Sequence, residues 1–237
     1  MIGTFINVAA ILLGGSIGLL IGGRLSERLK ASVIAGMGLF TAVTGIKMFL
    51  ETQNSLVVLG SLVIGALLGE WWKIEDGLQQ LGEKLEKRFV RSNSESEPSS
   101  PQPDFVGGFM IASLLFCIGP IAILGSIQAG LNGDYNLLVI KSVLDGFAAL
   151  AFASTLGVGV LFSSVMILLY QGSITLLAAQ LNVIVTQPMQ AELTATGGVL
   201  LIGIAISSLL EIKKIRVGNF LPALVLAPLI VWIVSLF

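Results

Sequence analysis

In the stretch "NLLVIKSVLDGFAALAF", residues 136–152, a lysine and an aspartate four positions apart interrupt an otherwise apolar run. On a helix this spacing puts Lys141 and Asp145 on one face about a turn apart, where an ammonium and a carboxylate can pair. Such a pair can hold an ion or exchange a proton. An unpaired charge at the centre of a membrane helix costs about 2.5 to 3.5 kcal/mol on insertion scales, so both residues should face protein rather than lipid. Lys141 has a second option, because its stem is long enough to carry the ammonium outward to the interface. Asp145 is too short to do so. It is either a proton- or cation-linked carboxylate in a solute pathway or half of a structural ion pair.

Two further stretches carry polar chemistry in apolar surroundings. In "FCIGPIAILGS", 116–126, Pro120 cannot donate to the carbonyl of Phe116 and its ring clashes with that turn, while Gly119 tolerates unusual dihedrals. The helix is expected to kink or break near mid-bilayer. Carbonyls freed in lipid need a protein or water partner, so the break, with Cys117 and Ser126 on either side, points to a polar interior or to a simple packing kink. In "YQGS", 170–173, Tyr170, Gln171 and Ser173 offer neutral hydrogen bonds. Its counterpart "GGS", 14–16, adds Ser16, and the two Gly-Ser elements are expected to meet near mid-membrane. Gly14, Gly18 and Gly22, like Ser61, Gly65 and Gly69, also fit ordinary small-residue helix packing. The candidate substrate- or ion-binding set is therefore Asp145, Lys141, Cys117, Gly119, Pro120, Ser126, Tyr170, Gln171, Ser173 and Ser16.

Other chemistries lack their residues. The 237-residue chain has no His and a single Cys, Cys117, so His/Cys metal sites and disulfides within the chain are excluded, and no cofactor or metal is expected. There is no Walker or dinucleotide loop, and "LNGDYN" has Leu131 where a GxGD-type aspartyl motif needs Gly. A Ser-Lys dyad on Lys141 is formally available, but the chain is not expected to be an enzyme. Only 11% of residues are charged against 55% hydrophobic, with mean hydropathy +0.96, too little charge to coat a globule of this size. The partner is the lipid bilayer. A net charge of -1 without a basic stripe argues against nucleic acid.

Roughly 20 apolar residues cross the ~30 Å hydrocarbon layer as a helix. Segments near 3–23, 32–50, 55–72, 105–130, 136–154, 157–180, 194–211 and 219–236 meet that test. Lys and Arg prefer cytoplasmic connections. They fall in the first loop (Arg24, Arg28, Lys30), the third (Lys73, Lys84, Lys87, Arg88, Arg91) and the seventh (Lys213, Lys214, Arg216), and are missing from the second, fourth and sixth. All three basic loops lie on one side only if segment 105–130 crosses fully. Both termini are then outside. Within the third connection, Ile74, Leu78, Leu81, Leu85 and Phe89 recur at helical spacing between charges, so this amphipathic helix should lie on the membrane surface or pair with a second subunit. "RSNSESEPSSPQPD" reads as a disordered linker.

The chain also resembles itself. "GSIGLL" (15–20) matches "GSITLL" (172–177), and "GLFTAVTGIKMFLE" (38–51) aligns with "GVLLIGIAISSLLE" (198–211). Segments one to three would correspond to six to eight in the opposite orientation, as the alternation of basic and uncharged loops requires. The expected fold is an all-α polytopic membrane protein of eight transmembrane helices with a 3+2+3 inverted-topology repeat, an arrangement common in secondary transporters. Its parts are a first membrane repeat (1–72), a cytoplasmic amphipathic helix and linker (73–104), an inserted helix pair with the Gly-Pro break (105–156) and a second repeat (157–237).

At "CIGPIAILGSIQAGLNGDYNLLVIKSVLDG" and "YQGSITLLA" the sequence resembles the YdfK/YqgA-type prokaryotic membrane proteins, a family with a domain-of-unknown-function label. The resemblance implies a multi-pass helical protein of the bacterial cytoplasmic membrane and assigns no residue a role. The residues themselves point to a secondary transporter of a small polar or ionic solute, with an ion channel or a non-transporting scaffold or sensor as alternatives, and with a homodimer as a reasonable assembly. Deleting residues 92–103 separates the last alternative: transport measured in proteoliposomes should survive nearly intact in a transporter, whereas a sensor signalling through this segment loses function.

Overall fold

The computed structural model describes residues 1–89, 104–178 and 186–236, and these are helical, with no strand among them. The elements are α1 (Ile2–Gly22), α2 (Glu27–Phe49), α3 (Ser55–Trp72), α4 (Ile74–Phe89), α5 (Phe105–Ile118), α6 (Pro120–Leu131), α7 (Asn136–Leu156), α8 (Gly159–Leu176), α9 (Gln187–Ile204, continued by a π-turn to Leu209) and α10 (Pro222–Val234). Among the described residues, seven helices are long and apolar enough to cross a membrane, or eight if the bent pair α5–α6 is one span. The proposed linker 91–103 lies outside the described residues.

Local chemistry sets the helix ends. Ser26 caps α2 by accepting from the Leu29 N–H, Asn54 caps α3 through Leu56, and Asp104, placed in the linker by sequence, instead caps α5 through Gly107 at 3.0 Å. Pro120, Pro188 and Pro222 occupy first turns, where a missing N–H costs nothing. The seventh span begins at Gln187 rather than near 194, because Pro188 opens a polar first turn that hydropathy alone does not reveal. Pro228 sits inside α10.

The glycines set the helix directions. A Cβ on Gly14, Gly18 or Gly22 would collide with the carbonyls of Gly146, Leu150 and Ser154 respectively, so α1 and α7 run parallel with their backbones in contact. Gly45 lies against Gly198 and Gly38 against Leu210, so α2 and α9 are antiparallel. Gly65 against Ala223 and Gly69 against Asn219 make α3 and α10 antiparallel too. Gly159 packs on Phe105 at one end of α8 and Thr175 on Gly130 at the other, so the bent pair α5–α6 follows α8 along its length. It is bent by 60° at Gly119. A helix pair that tracks a full-length helix in this way is a candidate eighth span.

These directions gather the basic connections at one end of the bundle, and α4 packs there. Its Gly82 faces Phe109 and Val106 of α5, Leu78 packs against the apolar core, and the Phe89 ring meets Phe162 of α8 in a tilted contact at 5.5 Å. Glu75 locks its start: its N–H donates to Asn219 Oδ1 at 2.8 Å and its carboxylate accepts from the Gly218 N–H at 2.9 Å. Burial pushes the Glu75 carboxyl up from its ordinary range, opposed by the Gly218 hydrogen bond and the Arg216 charge. At the other end, fully enclosed Glu192 of α9 holds the α2–α3 turn by accepting from Thr52 Oγ1 and from the N–H groups of Gln53 and Asn54 at 2.7 to 2.8 Å.

Because Leu150's carbonyl already occupies the space beside Gly18, Gly18→Ala should lower stability by about 1 to 3 kcal/mol through overpacking. Gly23→Ala, where nothing lies within 4 Å, should be neutral or slightly stabilising. Thermal unfolding of the two detergent-purified variants measures the difference.

Candidate functional site

The parallel packing of α1 on α7 decides what Asp145 meets. Asp145 stands nine residues into α7, about 13 Å along the axis, and Lys141 one turn earlier. Both are buried, and Lys141 Nζ contacts Asp145 Oδ2 directly. Lys141 therefore does not snorkel. Its ammonium lies 5.9 Å over the Phe116 ring, where the π-face favours a cation. Ser142 is spent on its own helix, donating to the Leu138 carbonyl at 2.5 Å.

Two amides complete the cluster. Asn7 of α1, fully buried, donates from Nδ2 to Asp145 Oδ2 at 2.9 Å and to Gln171 Oε1 of α8 at 3.3 Å. A carboxylate can only accept, so the Asn7 amide must turn its nitrogen towards Asp145. This leaves Asn7 Oδ1 and Gln171 Nε2 enclosed without partners, and one turn before Asn7 the Thr4 hydroxyl is enclosed and unpartnered as well. Buried polar atoms are rarely left this way, and each costs about 1 to 3 kcal/mol.

A cleft of about 710 Å³ opens beside the pair, between α2, the α5–α6 break and α7. Thr41 and Met48 of α2, Phe116 and Gly119 at the break, and Lys141 and Asp145 all line it. It extends along α2 from Val33 to Lys47 and Glu51, and its walls are mostly apolar. A second, more polar cleft of about 830 Å³ lies at the basic end, lined by Glu75, Glu83, Asp104, Ser207, Glu211 and Lys214. Leu114 faces the second cleft while Leu115 and Phe116 face the first, so α5 is the wall between them.

The structure sorts the residues expected from sequence. Lys141, Asp145 and Gln171 form the cluster, Gly119 and Pro120 make the break, and Gly119 lines the cleft. Cys117 is half-buried within electrostatic reach of Lys141 and Asp145, and half-buried Tyr170 lies within reach of Cys117. Ser126 is buried but donates to Ala122 of its own helix. Ser16 and Ser173 do not belong: both are exposed on the outer surface, so the two Gly-Ser elements do not meet. Gly15 and Gln171 point inward, and Ser16 and Ser173 are about 100° and 200° further round their helices. Asn7 and Glu192 were missed. An amide in an apolar run is a usable signal for Asn7, but its partner follows only from the α1–α7 packing.

The family model described as "Protein of unknown function (DUF554)" matches residues 2–232. The chain is 34% identical to the uncharacterized protein YqgA of Escherichia coli (strain K12) over 227 residues, covering 96% of this chain and 94% of the relative. It is 30% identical to the uncharacterized membrane protein YdfK of Bacillus subtilis (strain 168) over 241 residues, covering 100% and 98%. No solved structure matches.

Removing one member of the buried pair strands the other. Lys141→Met should destabilise the protein by about 3 to 5 kcal/mol, and the double change Lys141→Met with Asp145→Leu should recover most of that loss. Unfolding of the purified single and double variants gives the comparison.

Proposed function

The chain belongs to the DUF554 family of proteins of unknown function, so its activity has to be read from the buried site, and we propose that it is a secondary transporter of a small polar or ionic solute. The observation that carries this reading is the Lys141–Asp145–Asn7–Gln171 cluster, enclosed at the middle of α7 beside a broken helix, a position that falls near the bilayer midplane if α7 spans the membrane. Charges at that depth are expensive and mark solute or proton pathways. Backbone irregularity at that depth is tolerated where it is buried in protein or lines a cavity. Asp145 is the proton- or cation-linked carboxylate, Lys141 its counter-ion, and Gln171 and Asn7 supply neutral hydrogen bonds.

The pairing of helices favours an inverted repeat. The parallel pair α1–α7 has its counterpart in the parallel pair α8 with α5–α6, while α2 meets α9 and α3 meets α10 antiparallel. A two-fold exchange of a 3+2+3 arrangement would make α2–α9 and α3–α10 antiparallel and would turn the α1–α7 pair into the pair of α8 with α5–α6. Two clefts approaching α5 from different sides, with the helix broken at Gly119, suit alternating access through movement of that wall. The bilayer would be the bacterial cytoplasmic membrane, with the Arg24, Lys84 and Lys214 end inside and both chain termini outside. A channel fits less well, because the larger part of the first cleft is apolar.

The test begins with thermal-shift screening of the detergent-purified chain against inorganic ions, organic acids, amino acids and amines, followed by uptake of the hits into proteoliposomes. Asp145→Asn should reduce uptake about 10-fold or more, a loss of ~1.4 kcal/mol or more. Equal uptake by the variant contradicts this assignment.

A further inference from the structure

We propose that the cleft beside Lys141 and Asp145 binds a lipophilic weak acid, whose carboxylate pairs with Lys141 while Asp145 takes up the acid's proton. The inference rests on the transporter reading for its site but not for its readout. Three observations lead to it. The cleft, about 710 Å³, has the size of a small-molecule site, and two of its lining residues, Phe40 of α2 and Leu144 of α7, are 74% and 58% exposed on apolar helix faces that lipid would cover. A ligand entering there arrives through hydrocarbon and needs an apolar body. The exposed Lys47 and Glu51 line one end of the cleft, and the buried cation at its inner wall is Lys141, already engaged with Asp145.

Net charge selects the ligand. The resting pair sums to zero, and adding an ion to an enclosed site would leave one charge buried and uncompensated, which is strongly unfavourable. A neutral acid avoids it. When R–COOH enters, its O–H bond breaks, an O–H bond forms on Asp145, and the Lys141 ammonium moves its ion pair from Asp145 to R–COO⁻. The site remains neutral throughout, and no other reactant is needed. The other titratable groups near the cleft, among the described residues, are Cys117 on α5, with Tyr170 beyond it, and along the same wall Lys47 of α2 and Glu51 just past its end.

The unpartnered amide atoms fit this exchange. Asn7 Nδ2 now donates to the Asp145 carboxylate and to Gln171 Oε1, leaving Asn7 Oδ1 and Gln171 Nε2 idle. A protonated Asp145 becomes a donor. If both amides turn over, Asn7 Oδ1 accepts from Asp145 and from Gln171 Nε2, so the atoms idle in one state are those used in the other. The Asn7–Gln171 pair can thus serve a carboxylate and a carboxylic acid equally well.

The experiment uses the full chain in nanodiscs, with octanoate as the probe, octylamine and octanol as matched controls, and protein-free nanodiscs as the blank. Calorimetry in two buffers of different ionisation enthalpy, near neutral pH, counts protons. The expected result is saturable octanoate binding with uptake of about one proton per octanoate, binding of both controls at least ~10-fold weaker, and ~10-fold weaker octanoate binding in Lys141→Met. Should that variant not fold, the wild-type proton count decides alone. Equal affinity for octanol or octylamine, binding without proton uptake, or no binding overturns the proposal. Proton-linked octanoate binding without transport of any solute would instead overturn the transporter reading alone, and transport of a hydrophilic solute without octanoate binding would overturn only this inference.

Discussion

A charge in hydrocarbon has to be enclosed and neutralised, and the arrangement around Asp145 meets that constraint. The carboxylate is neutralised by Lys141 on its own helix and fixed by Asn7 from a neighbouring one. That enclosure needs α1 within hydrogen-bonding reach of α7, which the Gly14, Gly18 and Gly22 stripe permits by letting the α7 backbone approach where any side chain would collide. Lipid tails give helices no hydrophobic reason to associate, so close backbone packing and buried hydrogen bonds take over that task. The same small residues that build the bundle therefore place the polar cluster.

The surroundings of the pair divide into a fixed and an adaptable side. On one side α1 and α7 are interlocked backbone to backbone. On the other, the α5–α6 span is broken at Gly119, faces a cleft on either side through Leu114 and Phe116, and contributes the aromatic ring beneath Lys141. A rigid charge pair beside a segmented wall is what a solute site needs if the wall is to move while the charges stay in place. The ties at the ends, Glu192 to the α2–α3 turn and Glu75 to Asn219 and Gly218, hold the remaining hairpins to the bundle without touching the cluster.

Much of this was legible in the sequence because membrane insertion imposes length and charge rules that act locally. Spans can be counted from apolar runs, and the parallel packing of α1 on α7 agrees with the full crossing of 105–130 that the basic loops call for. Lys141 and Asp145 announced themselves by type and spacing. What could not be read was which face each helix presents. Ser16 and Ser173 share a motif yet point outward, since adjacent helical positions differ by about 100° and neighbours decide which side is inside. The role of Asn7 is not legible in the sequence because it depends on α7, well over a hundred residues away along the chain. Glu192 was overlooked because the polar first turn of α9 places it ahead of the apparent span.

The most direct measurement is the carbon-13 NMR signal of the Asp145 carboxyl in lipid-embedded protein labelled at aspartate, assigned by comparison with Asp145→Asn, before and after addition of octanoate. An ionised carboxylate in contact with the Lys141 ammonium is expected in the empty protein, and a protonated carboxyl when the site is loaded. An Asp145 already protonated in the empty protein, or one that stays ionised at saturating octanoate, would contradict it.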